Sequence, residues 1–233
     1  MPFRFKYFEV EDEQSTLKVS TDAMLLGSWA EPGNAQNILD IGTGCGVLAL
    51  MMAQKSSALI DAIDIDEPSI EQACTNFKRS TWKERLHAHH CSLQEFSRNC
   101  VAPYDFIITN PPFFSHALKS PVERKNKTRH ETEMSHPALV ESVAKILKPE
   151  GFFFLILPFN MGQTMQNEME KSGLFLCHSL MVSSIEDRPP KRILLSFSPK
   201  KVTSVRSEGM FILNRKGAFS EFYLNMTRKF HQF

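Results

Sequence analysis

The chain has almost no excess of charge: 27 Lys and Arg against 26 Asp and Glu leave a formal net charge of +1. Nothing global therefore marks a nucleic-acid binder, and any basic patch must be local. Cysteine is sparse, with five residues at Cys45, Cys74, Cys91, Cys100 and Cys177 and no CxxC pair. The odd count and wide spacing argue against a disulfide framework and a zinc site, and suit a reducing cytoplasm. No run of about 18 apolar residues occurs, so no transmembrane helix is expected. The N-terminal MPFRFKYFEVEDEQ likewise has no apolar stretch long enough for a signal peptide. Internal repeats and low-complexity segments are also missing.

What remains is an ordinary globular composition, 42% hydrophobic and 23% charged over 233 residues, enough for one domain with a sizeable core. From Asn37 onward, short apolar strands alternate with amphipathic helices. Strands are expected at Ile38–Ile41, Ile60–Ile65, Leu86–His90, Phe106–Thr109, Phe152–Leu157, Leu174–Leu180 and Ile193–Phe197. Helices are expected from about Glu67 to Arg79 and from Pro137 to Leu147, the second stopped by Pro149 and Gly151. Such alternation builds a doubly wound α/β sheet, seven-stranded and mostly parallel, with helices on both faces. The unpatterned link Met181–Lys191 predicts an antiparallel last strand. Two stretches stand outside the alternation. Residues 1–34 form a cap holding "KVSTDAMLLGSWA", in which Thr21 and Asp22 are candidate caps for a helix over Ala23–Trp29. Residues 113–136 form a long polar loop, a length more often functional than filler.

"LDIGTGCGVLALMMAQ" is a strand, a glycine turn and a helix start. Gly42, Gly44 and Gly46 permit a tight turn and let a ligand approach bare backbone and helix N–H groups. The run from Gly44 to Ala49 also fits the dinucleotide pattern G-x-G-x-x-G/A, and Asp64, about 20 residues on, suits a ribose in either case. Asp40 discriminates. A carboxylate just before the first glycine repels a pyrophosphate but accepts from an ammonium, which S-adenosylmethionine carries. Asp66 is expected to cap the helix after it, since Pro68 falls near the first turn.

"TNPPFF" ends the fourth strand, beside the first and therefore beside this loop. The Asn110 oxygen and the Pro111 carbonyl, stiffened by Pro112, make a fixed pair of acceptors for the two hydrogens of an exocyclic amine. Gripping them pulls the nitrogen toward a pyramidal, nucleophilic geometry for in-line attack on a sulfonium methyl, with positioning in place of a strong base. Phe113 offers the base a stacking face, with Phe114 behind or beside it. The loop that follows carries Lys119, Arg124, Lys125, Lys127 and Arg129, able either to neutralise phosphates around a splayed-out base or simply to lie solvated. Other signals fail. "HETEM" lacks the second His of a zinc protease, and His87, His89 and His90 are divided between two faces of a buried strand, so no metal is expected.

Together "LDIGTGCGVLAL" and "TNPPFF" resemble the class I S-adenosylmethionine-dependent methyltransferases that act on amino groups. "KVSTDAMLLGSWA", "HPALVESVAKILKPEGFFFLILP" and "RPPKRILLSFSP" narrow this to the bacterial tRNA1(Val) adenine-N6 methyltransferase family, over nearly the whole chain. The resemblance implies a Rossmann-like fold, S-adenosyl-L-methionine as cofactor and tRNA as partner, with adenine 37 beside the anticodon as target. It also implies that Asp40, Gly42 and Gly44 hold the methionine end and that Asp64, with Ile65 behind it, holds ribose. Lys18 and Thr21, in the Lys18–Asp22 loop, would border the pocket. Where many of these enzymes place an acid against adenine, this chain has Ser92 followed by Leu93, a weaker acceptor. Glutamine-N5 methylation of release factors and guanine-N2 methylation of ribosomal RNA use the same acceptor pair and stay open. A dinucleotide-dependent oxidoreductase and a non-catalytic RNA-binding module are the rivals from other classes.

Overall fold

The computed structural model describes residues 2–111 and 136–231. Eight described strands form one sheet: β3 (Asn37–Ile41), β4 (Leu59–Asp64), β5 (Leu86–His90), β6 (Tyr104–Thr109), β7 (Leu147–Pro158), β8 (Phe175–Ile185), β9 (Arg192–Ser198) and β10 (Arg206–Leu213). Their order is β10-β8-β9-β7-β6-β3-β4-β5, and β9 alone runs antiparallel to its neighbours. The central strands read as nearly unbroken apolar runs because both faces are covered. On one face lie α1 (Thr21–Trp29), α2 (Val47–Lys55), α3 (Glu67–Arg79) and the C-terminal α7 (Glu221–Thr227), around Leu26, Leu50, Phe77, Phe106 and Phe154. The other face packs α4 (Leu93–Asn99), α5 (His136–Ile146) and α6 (Gly162–Lys171) over Ile41, Ile107, Phe153 and Phe197.

Several details go beyond or differ from the sequence expectation. An eighth strand, β10, joins the far edge; its run RSEGMFIL buries only Met210 and so shows no apolar alternation. The expected antiparallel strand is present at Arg192–Ser198, paired as a hairpin with β8, and it lies between β7 and β8. β8 continues to Ile185 through the polar Ser183 and Ser184, because backbone pairing with β9 and β10 carries it. The cap of α1 is Ser20, whose hydroxyl accepts from the Ala23 N–H at 3.2 Å, which frees Thr21 and Asp22. The histidine strand β5 is an edge strand, not a buried one: His89 pairs with Asp61 at 2.6 Å and His90 with the Ile65 carbonyl at 3.0 Å.

Residues ahead of α1 fold back across the helices. A small ribbon, β1 (Phe3–Arg4) with β2 (Glu9–Val10), closes on stacked Phe5 and Phe8, which Phe230 meets edge-on. The chain then runs as a strap along one polar face of α3. Asn76 exchanges bonds with the Glu11 backbone and donates to the Cys45 carbonyl; Gln72 accepts from the Gln14 N–H, and Ser69 from the Thr16 N–H. All three α3 side chains are buried, so the strap supplies the partners they need.

Candidate active site

Ligands of open α/β sheets bind beyond the carboxyl ends of the strands, and Asp40, Gly42, Gly44, Asp64, Ser92 and Asn110 lie at or just past those ends. The loop leaving β3 turns sharply toward β4, since the N–H groups of Gly42 and Thr43 both donate to the Ile63 carbonyl, at 2.9 and 3.0 Å. Gly44 and Gly46 carry φ angles of +55° and +85°, a left-handed region costly for any residue with a Cβ. Space confirms the choice. A Cβ on Gly44 would lie 2.9 Å from Leu17 Cβ of the strap, and one on Gly46 2.5 Å from the Phe77 ring.

Two carboxylates clasp this loop. Asp40 is fully buried; its Oδ2 accepts from the Thr43 hydroxyl at 2.6 Å and the Ala49 N–H at 3.1 Å, while Oδ1 has no partner. Burial pushes its pKa up to about 7, against the pull of those two bonds. Asp64, at the end of β4, accepts from the Gly44 N–H at 2.9 Å and the Asp66 N–H at 3.0 Å, and burial raises its pKa as well. Asp66 caps α3 through Ser69, as its position before Pro68 suggests, and Ile65 lies between the two acids, beyond the strand.

Farther along the edge, Ser92 and Leu93 open α4. The Ser92 hydroxyl donates to Glu95 at 2.8 Å and accepts from the Glu95 N–H, a capping box that occupies the side chain locally. On the other side, β6 pairs with β3 in the register Ile41↔Thr109. Gly42 and Asn110 are therefore the first residues past the paired ends, on strands spaced about 4.8 Å apart. Thr109 fixes this exit by donating its hydroxyl to the Ile41 carbonyl at 2.8 Å. Asn110 is half-buried and Pro111 buried. Pro112, Phe113, Phe114, Lys119, Arg124, Lys125, Lys127 and Arg129 lie outside the described residues.

The strap contributes contacts that the motifs did not announce: Ser15 and Leu17 close on Gly44, and Ser15 meets Ser69 at 3.2 Å. Lys18 turns its ammonium back onto the Asp12 and Glu13 carbonyls, and Thr21 is exposed. Asp22, read from sequence as a cap, instead accepts from Arg192 Nε at 2.8 Å. That pair joins "KVSTD" to "RPPKR" across 170 positions, a link that no local pattern carries.

A family model for the methyltransferase small domain matches residues 15–172, from the strap through α6. The chain belongs to that family. Curated relatives named tRNA1(Val) (adenine(37)-N6)-methyltransferase extend the similarity over both chains. That of Parabacteroides distasonis is 37% identical, covering 98% of this chain and 97% of its own. The relative from Citrobacter koseri is 35% identical over 99% and 95%. Among solved structures, one from Agrobacterium tumefaciens described as a predicted O-methyltransferase superposes with a TM-score of 0.65 at 16% identity, over 90% of this chain and 96% of that one. The ribosomal protein L11 methylase of Lactobacillus delbrueckii gives 0.54 at 17% identity, over 77% of each. The Rossmann-like methyltransferase architecture expected from the motifs is therefore the one this family member has.

Proposed function

We propose that the protein transfers a methyl group from S-adenosylmethionine to N6 of an adenosine in tRNA, adenine 37 of tRNA1(Val). The observation that carries this reading is the register of β3 and β6, which sets Asn110 level with Gly42. Full-length similarity to relatives named for that reaction supports the substrate. It favours tRNA over release factors, ribosomal RNA and nicotinamide chemistry.

The residues at the loop fit the cofactor. Buried Asp40 Oδ1 is an acceptor without a donor, and such atoms are costly to leave unmade. The cofactor's ammonium would supply that donor, provided the enclosing loop shifts to admit it. Asp64 has lone pairs left for ribose hydroxyls after accepting from Gly44 and Asp66. Ser92 and Leu93 border the adenine end. When bound, S-adenosylmethionine supplies an electrophilic methyl on a sulfonium. Asn110 Oδ1 and the Pro111 carbonyl hold the two hydrogens of the adenine amine and aim its lone pair. The N–C bond would form as the sulfonium S–CH3 bond breaks and S-adenosylhomocysteine leaves, and the methylated nitrogen would then lose one proton to water, Phe113 being the proposed stacking face for the base.

No described helix is long and apolar enough to cross a membrane, and the proposed tRNA substrate supports a cytoplasmic location as part of this reading. The test is methyl transfer from labelled cofactor to tRNA that lacks the modification, followed by nucleoside analysis. Label should appear as N6-methyladenosine, and Asn110→Ala should cut turnover by roughly 10²-fold or more while cofactor affinity stays near wild type. Label in guanosine or in a glutamine side chain would replace this reading with a rival.

A further inference from the structure

The strands beyond the site do not end level with it. β7 pairs with β6 in the register Leu155↔Thr109, so it runs on to Pro158 after β6 has released Asn110. Phe159 therefore stands about 10 Å above the Asn110 level, at roughly 3.3 Å per residue. β9 begins at the same height, Arg192 pairing with Pro158, and β8 reaches Ile185 before the hairpin turns. The result is a wall rising beside the acceptor pair.

Its rim has a distinct chemistry. Phe159 is 39% exposed, and its backbone N–H is held by the Lys191 carbonyl at 3.1 Å. The turn behind it reads Arg188-Pro189-Pro190-Lys191, stiffened by two prolines and held through bonds from the Arg188 N–H to Ile185 and the Lys191 N–H to Val182. Arg4, Arg79, Lys200 and Arg206 each face a carboxylate elsewhere on the surface. On the rim, Arg215 is likewise matched, to Asp187, with Glu186 accepting from its backbone N–H. Arg188 and Lys191 are exposed and, like Lys78, Lys145 and Lys216, form no ion pair among the described residues; what sets these two apart is their place in the turn bonded to Phe159.

We propose that this rim is where the enzyme docks the RNA nucleotides next to the methylated adenosine. A neighbouring base stacks on Phe159, and the phosphates on either side of it meet Lys191 and Arg188. The inference rests on the RNA-methyltransferase reading above. Single-stranded RNA is recognised by such a pairing of exposed aromatic and cationic groups. The rim is continuous with the site through the β6–β7 register, and Arg192, one residue from Lys191, is anchored to Asp22 at the pocket's edge. Arg215 is neutralised, and Lys229 lies by Gln54 at the C-terminal end of α2, on the opposite edge of the sheet.

The test compares wild type, Arg188→Ala/Lys191→Ala, Phe159→Ala, Phe159→Trp and the distant control Lys171→Ala. Each is assayed for S-adenosylhomocysteine binding, for methylation kinetics on unmodified tRNA and for tRNA affinity against salt. The double variant should raise the KM for tRNA tenfold or more with kcat within about twofold. Its slope of log affinity against log salt should be shallower by about 1.4 to 1.8, since two phosphate contacts are gone. Phe159→Ala should raise KM roughly tenfold, with recovery in Phe159→Trp, and Lys171→Ala should match wild type. Variants that bind S-adenosylhomocysteine normally and keep wild-type KM and salt slope would overturn the docking surface. A wild-type enzyme inert on tRNA is a different result, which overturns the substrate reading beneath it.

Discussion

Asp40 shows how one residue can hold the loop and store a proton. Its carboxyl is sealed in, so burial raises the folded pKa to about 7 from an ordinary 3.8. Between those values the native state keeps a proton that the unfolded chain has already lost. The stability owed to the neutral form is therefore complete below about pH 4 and drains away as the pH rises to about 7. Urea unfolding of Asp40→Asn across that range should give a flatter profile than wild type, by up to about 1.4 kcal/mol per pH unit. An equally steep profile would mean that another group carries the proton. Asp40 was visible in the sequence as an acid beside a glycine turn. Its clasp on Thr43 and Ala49 was not, because a carboxylate before a turn looks the same whether it faces a ligand or its own loop.

At the level of elements, the glycine turn and α3 form one unit. Gly46 combines a left-handed φ with a ring edge 2.5 Å from where a Cβ would sit. Gly46→Ala should lower the unfolding free energy by about 2–4 kcal/mol, from backbone strain plus displacement of Phe77, as read from urea midpoints. A loss below 1 kcal/mol would show that the turn relaxes freely. The apolar face of α3 (Ile70, Ala73, Phe77) was readable from its spacing, whereas its buried polar face of Ser69, Gln72 and Asn76 resembled a solvated one. Only the strap 65 positions away explains it. Asn76→Ala removes three bonds and should speed amide exchange across residues 11–16 while leaving β3 and β4 protected. Equal protection in both proteins would mean that the strap is held by its apolar contacts alone.

For the whole molecule, the sheet depends on β9, which bridges two strands that do not pair with each other. β7 bonds β9 on one side and β8 bonds it on the other. A chain ending at residue 190 keeps every motif of the candidate cofactor site yet should fail to unfold cooperatively in thermal denaturation, because β8 then has no strand to join it to β7. Cooperative melting of that fragment would refute the bridging role. The parallel half of the sheet was legible in advance because βαβ units announce themselves through alternating periodicities. Neither the insertion of β9 nor the addition of β10 was, since strand order is decided by pairing partners far apart in the chain. The same bridge sets a schedule for synthesis. About 40 residues separate the end of β7 from the end of β9, and translation at about 5–20 residues per second takes roughly 2–8 s to cross that gap. For those seconds the nascent sheet ends in the bare apolar edge Phe153–Leu157. Until β9 arrives, that edge is open to pairing with other chains.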